Sequence, residues 1–156
     1  MILHNALCRT STINLKTCFL YGDTGVGKTF LSHCIARELL RSTHCVLYFS
    51  AYDLFDMMAA NSFSRKDTGT DEELIYDCDL LIIDDLGTEL TNSFVSSQLF
   101  LCLNERIMRR KSTIISTNLT LKNFSDTYSE RTFSRIASNY QMISLIGKDI
   151  RIQKIF

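Results

Sequence analysis

Short apolar runs alternate with segments of helical periodicity along most of this chain. Five runs rich in branched and aromatic residues predict β-strands, at 17–22, 45–50, 79–85, 112–117 and 140–146. The segments between them predict helices from about Lys28 to Arg41, near 51–60, near 92–110 and in pieces between 120 and 138. Strands that are apolar throughout and separated by helices indicate a parallel sheet covered by helices on both faces, which is an α/β three-layer architecture.

One polar stretch interrupts the pattern between the second and third strands. Residues 61–73, NSFSRKDTGTDEE, are mostly polar and include a glycine, which predicts a mobile surface loop. The chain has no proline, and it shows no internal repeat or low-complexity tract that would indicate a linker. A length of 156 residues with 46% hydrophobic residues therefore predicts one packed domain over 1–156.

Composition narrows the classes of protein to which the chain can belong. Its longest apolar runs are too short to cross a bilayer, and its first residues lack the apolar core of a signal peptide. We therefore expect a cytoplasmic protein without a membrane partner. The six cysteines form no CxxC pair and lie mostly in apolar surroundings, which predicts reduced core residues and neither a zinc site nor a disulfide framework.

Charge is distributed unevenly along the chain, although the formal net charge is zero. Residues 1–105 hold 7 Lys and Arg against 14 Asp and Glu, whereas residues 106–156 hold 10 against 3. This asymmetry has two interpretations. It can be an accident of where surface residues fall, or it can indicate an acidic and a basic side that stack head to tail between copies.

The strongest motif is GDTGVGKT at 22–29, which matches G-x-x-x-x-G-K-[ST] in full between a predicted strand and a predicted helix. Its glycines allow backbone N–H groups to point at phosphate oxygens, Lys28 is expected to contact the β- and γ-phosphates, and the Thr29 hydroxyl is expected to bind Mg²⁺. The predicted ligands are ATP and Mg²⁺. The residues predicted to bind the nucleotide here are Gly22, Asp23, Thr24, Gly25, Val26, Gly27, Lys28, Thr29 and Phe30.

A second acidic segment, LLIIDDLG at 80–87, ends an apolar strand with two carboxylates. Parallel strands of an open α/β sheet place their ligands at the carboxyl ends, so Asp84 is predicted to hold Mg²⁺ through water and Asp85 to orient the attacking water. The strand STIIST is followed by Asn118, which is a candidate to hold the lytic water or the γ-phosphate. Without the phosphate loop, these residues would be interpreted as ordinary turn and strand-end residues.

Near the end of the chain, SERTFSRI at 129–136 places Arg131 and Arg135 four residues apart. On a helix they share one edge, while Phe133 and Ile136 can face the core. The four motifs in this order and spacing resemble the AAA+ ATPase domain of bacterial replicative helicase loaders of the DnaC and DnaI type, with the transposition helper IstB as a close relative. The resemblance covers the chain from about Leu15 onward.

This resemblance implies a P-loop NTPase fold with a five-stranded parallel sheet in the order 5-1-4-3-2 and ATP bound between subunits. It implies that Arg131 or Arg135 is an arginine finger inserted into the site of a neighbouring copy, and that Arg151 senses nucleotide. The implied partners are a replicative helicase, single-stranded DNA and further copies of the chain. Relative to the family, we expect the helicase-binding N-terminal region and a helical lid to be missing from 1–156.

Contact with single-stranded DNA has candidate residues in the region between the second and third strands. Phe55, Phe63, Arg65 and Lys66, between the second and third strands, offer stacking faces and positive charge for an unpaired strand. Six acidic residues crowd the same region, so a mixed-charge surface with two buried phenylalanines is an equal alternative. Two further classes of function remain open: a P-loop kinase for a small molecule, of the nucleotide or shikimate type, and a scaffold that binds ATP without hydrolysing it.

Overall fold

The computed structural model describes residues 17–63 and 69–151 of the chain. Its elements follow one another in the order β1 Cys18–Tyr21, α1 Lys28–Arg41, β2 Val46–Ser50, α2 Ala51–Phe63, α3 Gly69–Asp77, β3 Leu80–Leu86, α4 Ser93–Met108, β4 Ser112–Thr117, α5 Leu121–Tyr128, α6 Glu130–Asn139 and β5 Gln141–Ser144. All five predicted strands are present, and α1 has the bounds that its sequence pattern predicts.

The five strands form one parallel sheet in the order β2-β3-β4-β1-β5. Read from the opposite edge, this is the predicted order 5-1-4-3-2. Strand β3, which carries the second acidic segment, therefore lies beside β4, and β1 with its phosphate loop lies on the other side of β4. This arrangement brings the carboxyl ends of β1, β3 and β4 together at one edge of the sheet.

Successive side chains of each buried strand point to opposite faces of the sheet, so the strands contribute to two apolar cores, one on each face. On β3, Leu80 and Ile82 pack in the smaller core with α1, whereas Leu81 and Ile83 pack in the larger core. The larger core takes side chains from all five other helices. The sheet is thus covered on both faces, as the continuous apolar character of β3 and β4 predicts.

The predicted loop over 61–73 is wrong for most of its length. Helix α2 continues to Phe63, and α3 begins at Gly69, while residues 64–68 lie outside the described part of the chain. Arg109 of α4 donates to Glu73 at 2.6 Å and to Asp77 at 2.8 Å, so these two carboxylates have a cationic partner that the local sequence does not reveal. Within residues 17–63 and 69–151, no helix combines the length and apolar character needed to cross a membrane.

Candidate nucleotide site

The phosphate loop, residues 22–29, joins β1 to α1 in a conformation that depends on glycine. Gly22 and Gly25 have φ values of 144° and 79°, in the left-handed half of conformational space. A Cβ on Gly22 would lie 2.1 Å from the carbonyl oxygen of Leu145, and one on Gly25 would lie 2.1 Å from the Asp149 carboxyl carbon. The Ile150 N–H also donates to the Gly25 carbonyl at 3.1 Å. The segment after β5 therefore packs directly on the loop, so a side chain at position 22 would meet backbone and one at position 25 would displace the Asp149 carboxylate.

Lys28 begins α1, and only 4% of its side chain is exposed. Its Nζ donates at 2.7 Å to the carbonyl oxygens of both Gly22 and Asp23. Burial lowers the pKa of Lys28, and the negative charges of Asp85, Asp23 and Asp84 oppose this effect. The ammonium group is thus held inside the loop by carbonyl oxygens, where phosphate oxygens would be stronger acceptors for the same hydrogens.

A pocket of about 300 Å³ opens over the loop at the carboxyl edge of the sheet. Nine of the residues predicted for the site line it: Thr24, Gly25, Gly27, Lys28, Thr29, Phe30, Asp85, Asn118 and Arg151. The sequence prediction missed two further lining residues, His33 and Ile150. His33 lies four residues after Thr29 on α1, so helical spacing could have indicated it. Asp84, a predicted metal ligand, is buried behind the pocket wall.

Both carboxylate oxygens of Asp84 accept hydrogen bonds from neighbouring strands. The Tyr48 hydroxyl on β2 donates to Oδ2 at 2.5 Å, and the Ser116 hydroxyl on β4 donates to Oδ1. Burial and the Asp84 charge both raise the pKa of Tyr48 far above its ordinary value, so this phenol stays protonated and remains a donor. Asp84 is therefore fixed from both sides in the plane of the sheet.

Asp85, the next residue of β3, departs from the regular strand conformation. Its φ is 56°, and a register shift in the β3–β4 pairing lies between Ile83 and Leu86. Aspartate tolerates this left-handed conformation better than most residues, and the turn directs its side chain into the pocket. The Asp85 N–H donates to Ser116 Oγ at 3.0 Å, so Ser116 contacts both aspartates. Burial and the charge of Asp84 raise the pKa of Asp85, and Lys28 and Arg151 oppose the shift.

The oxygen donors around Lys28 fit a magnesium ion that is bound together with nucleotide phosphates. Thr29 offers a hydroxyl at the pocket wall, and the two Asp84 oxygens keep unused lone pairs for a water-mediated contact. Mg²⁺ favours few protein ligands together with water and phosphate oxygens. Among the described residues, no cluster of three or more acidic, histidine or cysteine side chains could hold a metal ion.

The two candidate finger arginines lie away from this pocket. Arg131 and Arg135 are on α6, are exposed, and are not among the residues that line the pocket. The guanidinium carbon of Arg131 lies 4.1 Å from the centroid of the Phe100 ring, a cation–π contact between α6 and α4. Ile136 is fully buried and Phe133 is half-buried, as the spacing predicts. The role of the two arginines as fingers stays a prediction.

Two other parts of the sequence prediction need correction or fall outside the structure. Phe55 is 4% exposed in the larger core, so it cannot stack on a DNA base, and the buried alternative is confirmed for it. The side chains of Phe63, Arg65 and Lys66 lie outside what the structure describes.

The division of charge along the chain also does not translate directly into two charged sides of the molecule. Arg106 is completely buried, and Arg109 binds Glu73, Asp77 and Glu105 of the acidic segment within the same chain. Both cations therefore have their partners within one copy. The number of Lys and Arg residues in 106–156 is larger than the number of positive charges available to a neighbouring copy.

The fold and the phosphate loop agree with a comparison against protein families. A family described as IstB-like ATP binding protein matches residues 7–153. The chain belongs to this family. It is an AAA+ ATP-binding domain of the IstB and DnaC kind, related to helicase loaders and to the ATPases of insertion sequences.

Individual relatives are similar over most of this chain. A putative insertion sequence ATP-binding protein, y4pL of Sinorhizobium fredii, is 30% identical over 143 residues, which cover 88% of this chain and 56% of the relative. The chromosomal replication initiator protein DnaA of Zymomonas mobilis is 32% identical over 129 residues, which cover 81% of this chain and 25% of that protein. The IstB-like domain thus spans from a quarter to about half the length of these curated relatives.

Among solved structures, a crystal structure of the DnaC helicase loader superposes with a TM-score of 0.77. It covers 84% of this chain and 78% of the loader chain at 23% sequence identity. At this level of identity the similarity establishes the fold alone.

Proposed function

We propose that this IstB-like domain hydrolyses ATP as part of an assembly of identical copies and uses that cycle to load a replicative helicase onto single-stranded DNA. The observation that carries the proposal is the division of the site. One copy assembles the phosphate loop, Asp84, Asp85 and Asn118 around one pocket, whereas Arg131 and Arg135 are exposed outside it. A copy whose pocket lacks Arg131 and Arg135 is suited to a neighbour that supplies them.

The chemistry of the phosphate loop and of the side chains that end β3 and β4 suggests a role for each of them. The loop N–H groups and Lys28 would bind the phosphates of ATP, with Lys28 exchanging its carbonyl contacts for the β- and γ-phosphates. Thr29 and Asp84 would hold Mg²⁺, which, when bound, neutralises charge on the phosphate oxygens. Asp85 and Asn118 would orient the attacking water, since both line the pocket and can accept a hydrogen bond from it.

The arginines complete this scheme only across an interface between copies. An arginine finger supplied in trans stabilises the transition-state charge and makes hydrolysis dependent on assembly. Asp85 is shorter than the glutamate that often orients the water in such sites, and we expect slow turnover even in the assembled state. The contact between Arg131 and Phe100 keeps the guanidinium over the surface of α6 and α4, where a neighbour can reach it.

A second candidate partner follows from the family itself. The family is named for IstB, and y4pL is described as an insertion sequence protein, which supports a role as the ATPase that assists a transposase. Insertion of a mobile element requires duplex DNA, whereas helicase loading requires an exposed single strand. We therefore expect stimulation by single-stranded DNA for the loader and by duplex DNA for the transposition helper.

The test is a mixing experiment on ATP hydrolysis. One variant, Lys28→Ala, keeps the arginines but cannot bind the phosphates; the other, Arg131→Ala/Arg135→Ala, keeps the pocket but has no fingers. Each variant alone should be nearly inactive, and the mixture should recover activity because each pocket of the second variant can receive arginines from the first. The three samples are measured without DNA, with single-stranded DNA and with duplex DNA, and wild-type protein sets the scale.

Failure to recover activity on mixing, with a wild-type chain that is active as a monomer, would overturn the trans arrangement. That result would favour a P-loop kinase whose arginines act within one copy, and phosphate transfer to a small acceptor would establish it. A wild-type chain that binds ATP and shows no turnover under any of these conditions would instead favour the scaffold function.

A further inference from the structure

A buried carboxylate outside the pocket connects the turn after the second acidic segment to the end of α5, directly before the helix that carries the arginines. Glu89 is 8% exposed and Tyr128 is fully buried, and neither lines the pocket. The Gly87 N–H donates to Glu89 Oε2 at 2.9 Å, and the Tyr128 hydroxyl donates to Glu89 Oε1. We call this pair of contacts the Glu89–Tyr128 bridge.

One end of the bridge is fixed to the turn that follows Asp85. Gly87 has a φ of 105°, and a Cβ there would lie 2.7 Å from the Leu119 side chain, so the turn packs tightly on the segment after β4. The Thr117 hydroxyl donates to the Leu86 carbonyl at 2.6 Å and holds the same turn from β4. A displacement of the turn therefore moves Asp85 at one side and Glu89 at the other.

The other end of the bridge is fixed to the start of α6. Tyr128 is the last residue of α5, and Ser129 connects the two helices with φ 88° and ψ 147°. The Ser129 hydroxyl accepts a hydrogen bond from the Thr132 N–H at 3.3 Å and so caps the N-terminus of α6. Arg131 lies in the turn that this hydrogen bond closes. The helix that carries the arginines thus begins at a single strained residue directly after the bridge.

The Tyr128 side chain is buried and held in place by aromatic packing. Its ring lies 4.8 Å from the Phe124 ring, which packs edge-on against Phe19 of β1 at 5.1 Å. Burial, followed by the hydrogen bond to Glu89 and then by its charge, raises the pKa of Tyr128, so the Tyr128 hydroxyl remains a donor at all ordinary pH values. A hydrogen bond to a carboxylate that is shielded from water is stronger than one at the surface.

From this geometry we infer that Glu89 and Tyr128 are positioning residues. Within one copy they couple Asp85 of the nucleotide site to Arg131 and Arg135, the two arginines that this copy presents to the neighbouring copy. The inference rests on the proposed function, because it assumes that the arginines act in a neighbour. In an assembly, the bridge would transmit the state of one nucleotide site to the next site along the chain of copies. Neither residue touches nucleotide, and both act by holding other residues in place.

The two ends of the bridge can be tested separately in the mixing assay. The finger donor is Lys28→Ala, and the site donor is Arg131→Ala/Arg135→Ala. Tyr128→Phe is added first to the finger donor alone, where it can affect only the delivery of arginines, and then to the site donor alone, where it can affect only the pocket. We expect kcat of the mixture to fall about five- to tenfold in each case, with KM for ATP unchanged within about twofold.

Controls separate positioning from a general loss of structure. Tyr140→Phe removes the hydroxyl of another buried tyrosine, directly after α6, that takes no part in the bridge, and it should leave both mixtures at the parent rate. Thermal unfolding and binding of a fluorescent ATP analogue are measured for every variant. Glu89→Gln supplies a second variant that keeps the size of the side chain but loses its charge, and it should give the same two-sided loss if Tyr128→Phe does not fold.

The outcomes distinguish the bridge from the function on which it rests. A loss of kcat in both mixtures at constant KM supports the bridge. Parent mixtures that recover activity, together with Tyr128→Phe or Glu89→Gln mixtures that lose activity on one side only or on neither, overturn the bridge and leave the proposed function intact. Parent mixtures that do not recover activity overturn the proposed function, and the bridge is overturned with it.

Discussion

The Tyr48 hydroxyl donates a hydrogen bond of 2.5 Å to Oδ2 of Asp84, from the strand beside the one that carries the aspartate. The Tyr48 ring is stacked on the His33 ring, with centroids 4.5 Å apart and planes 12° from parallel. His33 lies on α1 and lines the pocket, so the stack joins the helix after the phosphate loop to the buried aspartate. Tyr48 is thus placed to set the orientation of a predicted metal-binding carboxylate.

Tyr48→Phe should weaken the response to Mg²⁺ while leaving the nucleotide pocket in place. The change removes one of two hydrogen bonds that fix Asp84 and retains the ring that stacks on His33. We expect about a tenfold higher Mg²⁺ concentration for half-maximal hydrolysis, within the range that loss of a residue supporting a metal ligand costs. The measurement is a magnesium titration of ATP hydrolysis, accompanied by binding of a fluorescent ATP analogue without metal.

A matched control for this change is Tyr52→Phe, which removes the hydroxyl of a tyrosine that is 61% exposed near the start of α2. It should reproduce the wild-type magnesium titration. Equal titrations for Tyr48→Phe and Tyr52→Phe would mean that the Tyr48 hydroxyl does not hold Asp84 in the active state.

Asp85→Asn should stabilise the fold at neutral pH while it removes hydrolysis. Burial and Asp84 raise the pKa of Asp85, so the native state binds its proton more tightly than the unfolded state does. Between the two pKa values the native state holds more protons, and stability therefore decreases as pH rises through this interval. Asparagine has no charge to bury, and it tolerates the φ of 56° as well as aspartate does.

The check on Asp85 is thermal unfolding without nucleotide or metal from pH 4 to pH 8 for wild type and Asp85→Asn. The variant should unfold at a higher temperature near pH 7, and the difference should shrink as the pH falls toward the acid end. A variant that is less stable than wild type at pH 7 would show that the attraction between Asp85 and Lys28 outweighs burial.

The phosphate loop and the positions of the strands were predictable because both follow from local patterns, whereas the strand order was expected from the resemblance to the helicase loaders. Alternation within β3 assigns Leu80 and Leu81 to opposite faces, and the complete motif fixes where α1 begins at Lys28. Asp84 and Asp85 were found because they end a buried strand. These signals are carried within about eight consecutive residues each, so a single sequence contains them.

Features that depend on contacts between distant segments could not be predicted from the sequence. The bonds from Tyr48 and Ser116 to Asp84 join residues 36 and 32 positions apart, and they follow from strand order and register rather than from any motif. The helical conformation of residues 69–73 was missed, and Glu73 in that stretch pairs with Arg109 of α4, a contact that the local sequence does not reveal. Phe55 was considered for DNA contact because sequence alone does not show which face of α2 is buried.

Arg106 is the clearest such case, and it gives the last prediction. Its side chain is 0% exposed, and its hydrogen-bond partners among the described residues are uncharged. It donates to the carbonyls of Ile75, Tyr76, Cys78 and Ser112, to the Thr113 hydroxyl and to the Cys78 sulfur. These partners lie at the end of α3 and at the start of β3 and β4, opposite the nucleotide site. Arg106→Met leaves several buried acceptors without a donor, so we expect a loss of about 3–5 kcal/mol in the free energy of unfolding. Denaturant unfolding measures the loss.

Arg37→Met, at an exposed position of α1, is the matched control and should change stability by less than about 0.5 kcal/mol. Arg106→Lys should lose about as much stability as Arg106→Met. Lysine keeps the charge, but its single ammonium group cannot donate to all the acceptors that the planar guanidinium group reaches. Wild-type stability in Arg106→Met would mean that the carbonyls find other donors, and that α3 and the strand starts do not depend on this one side chain.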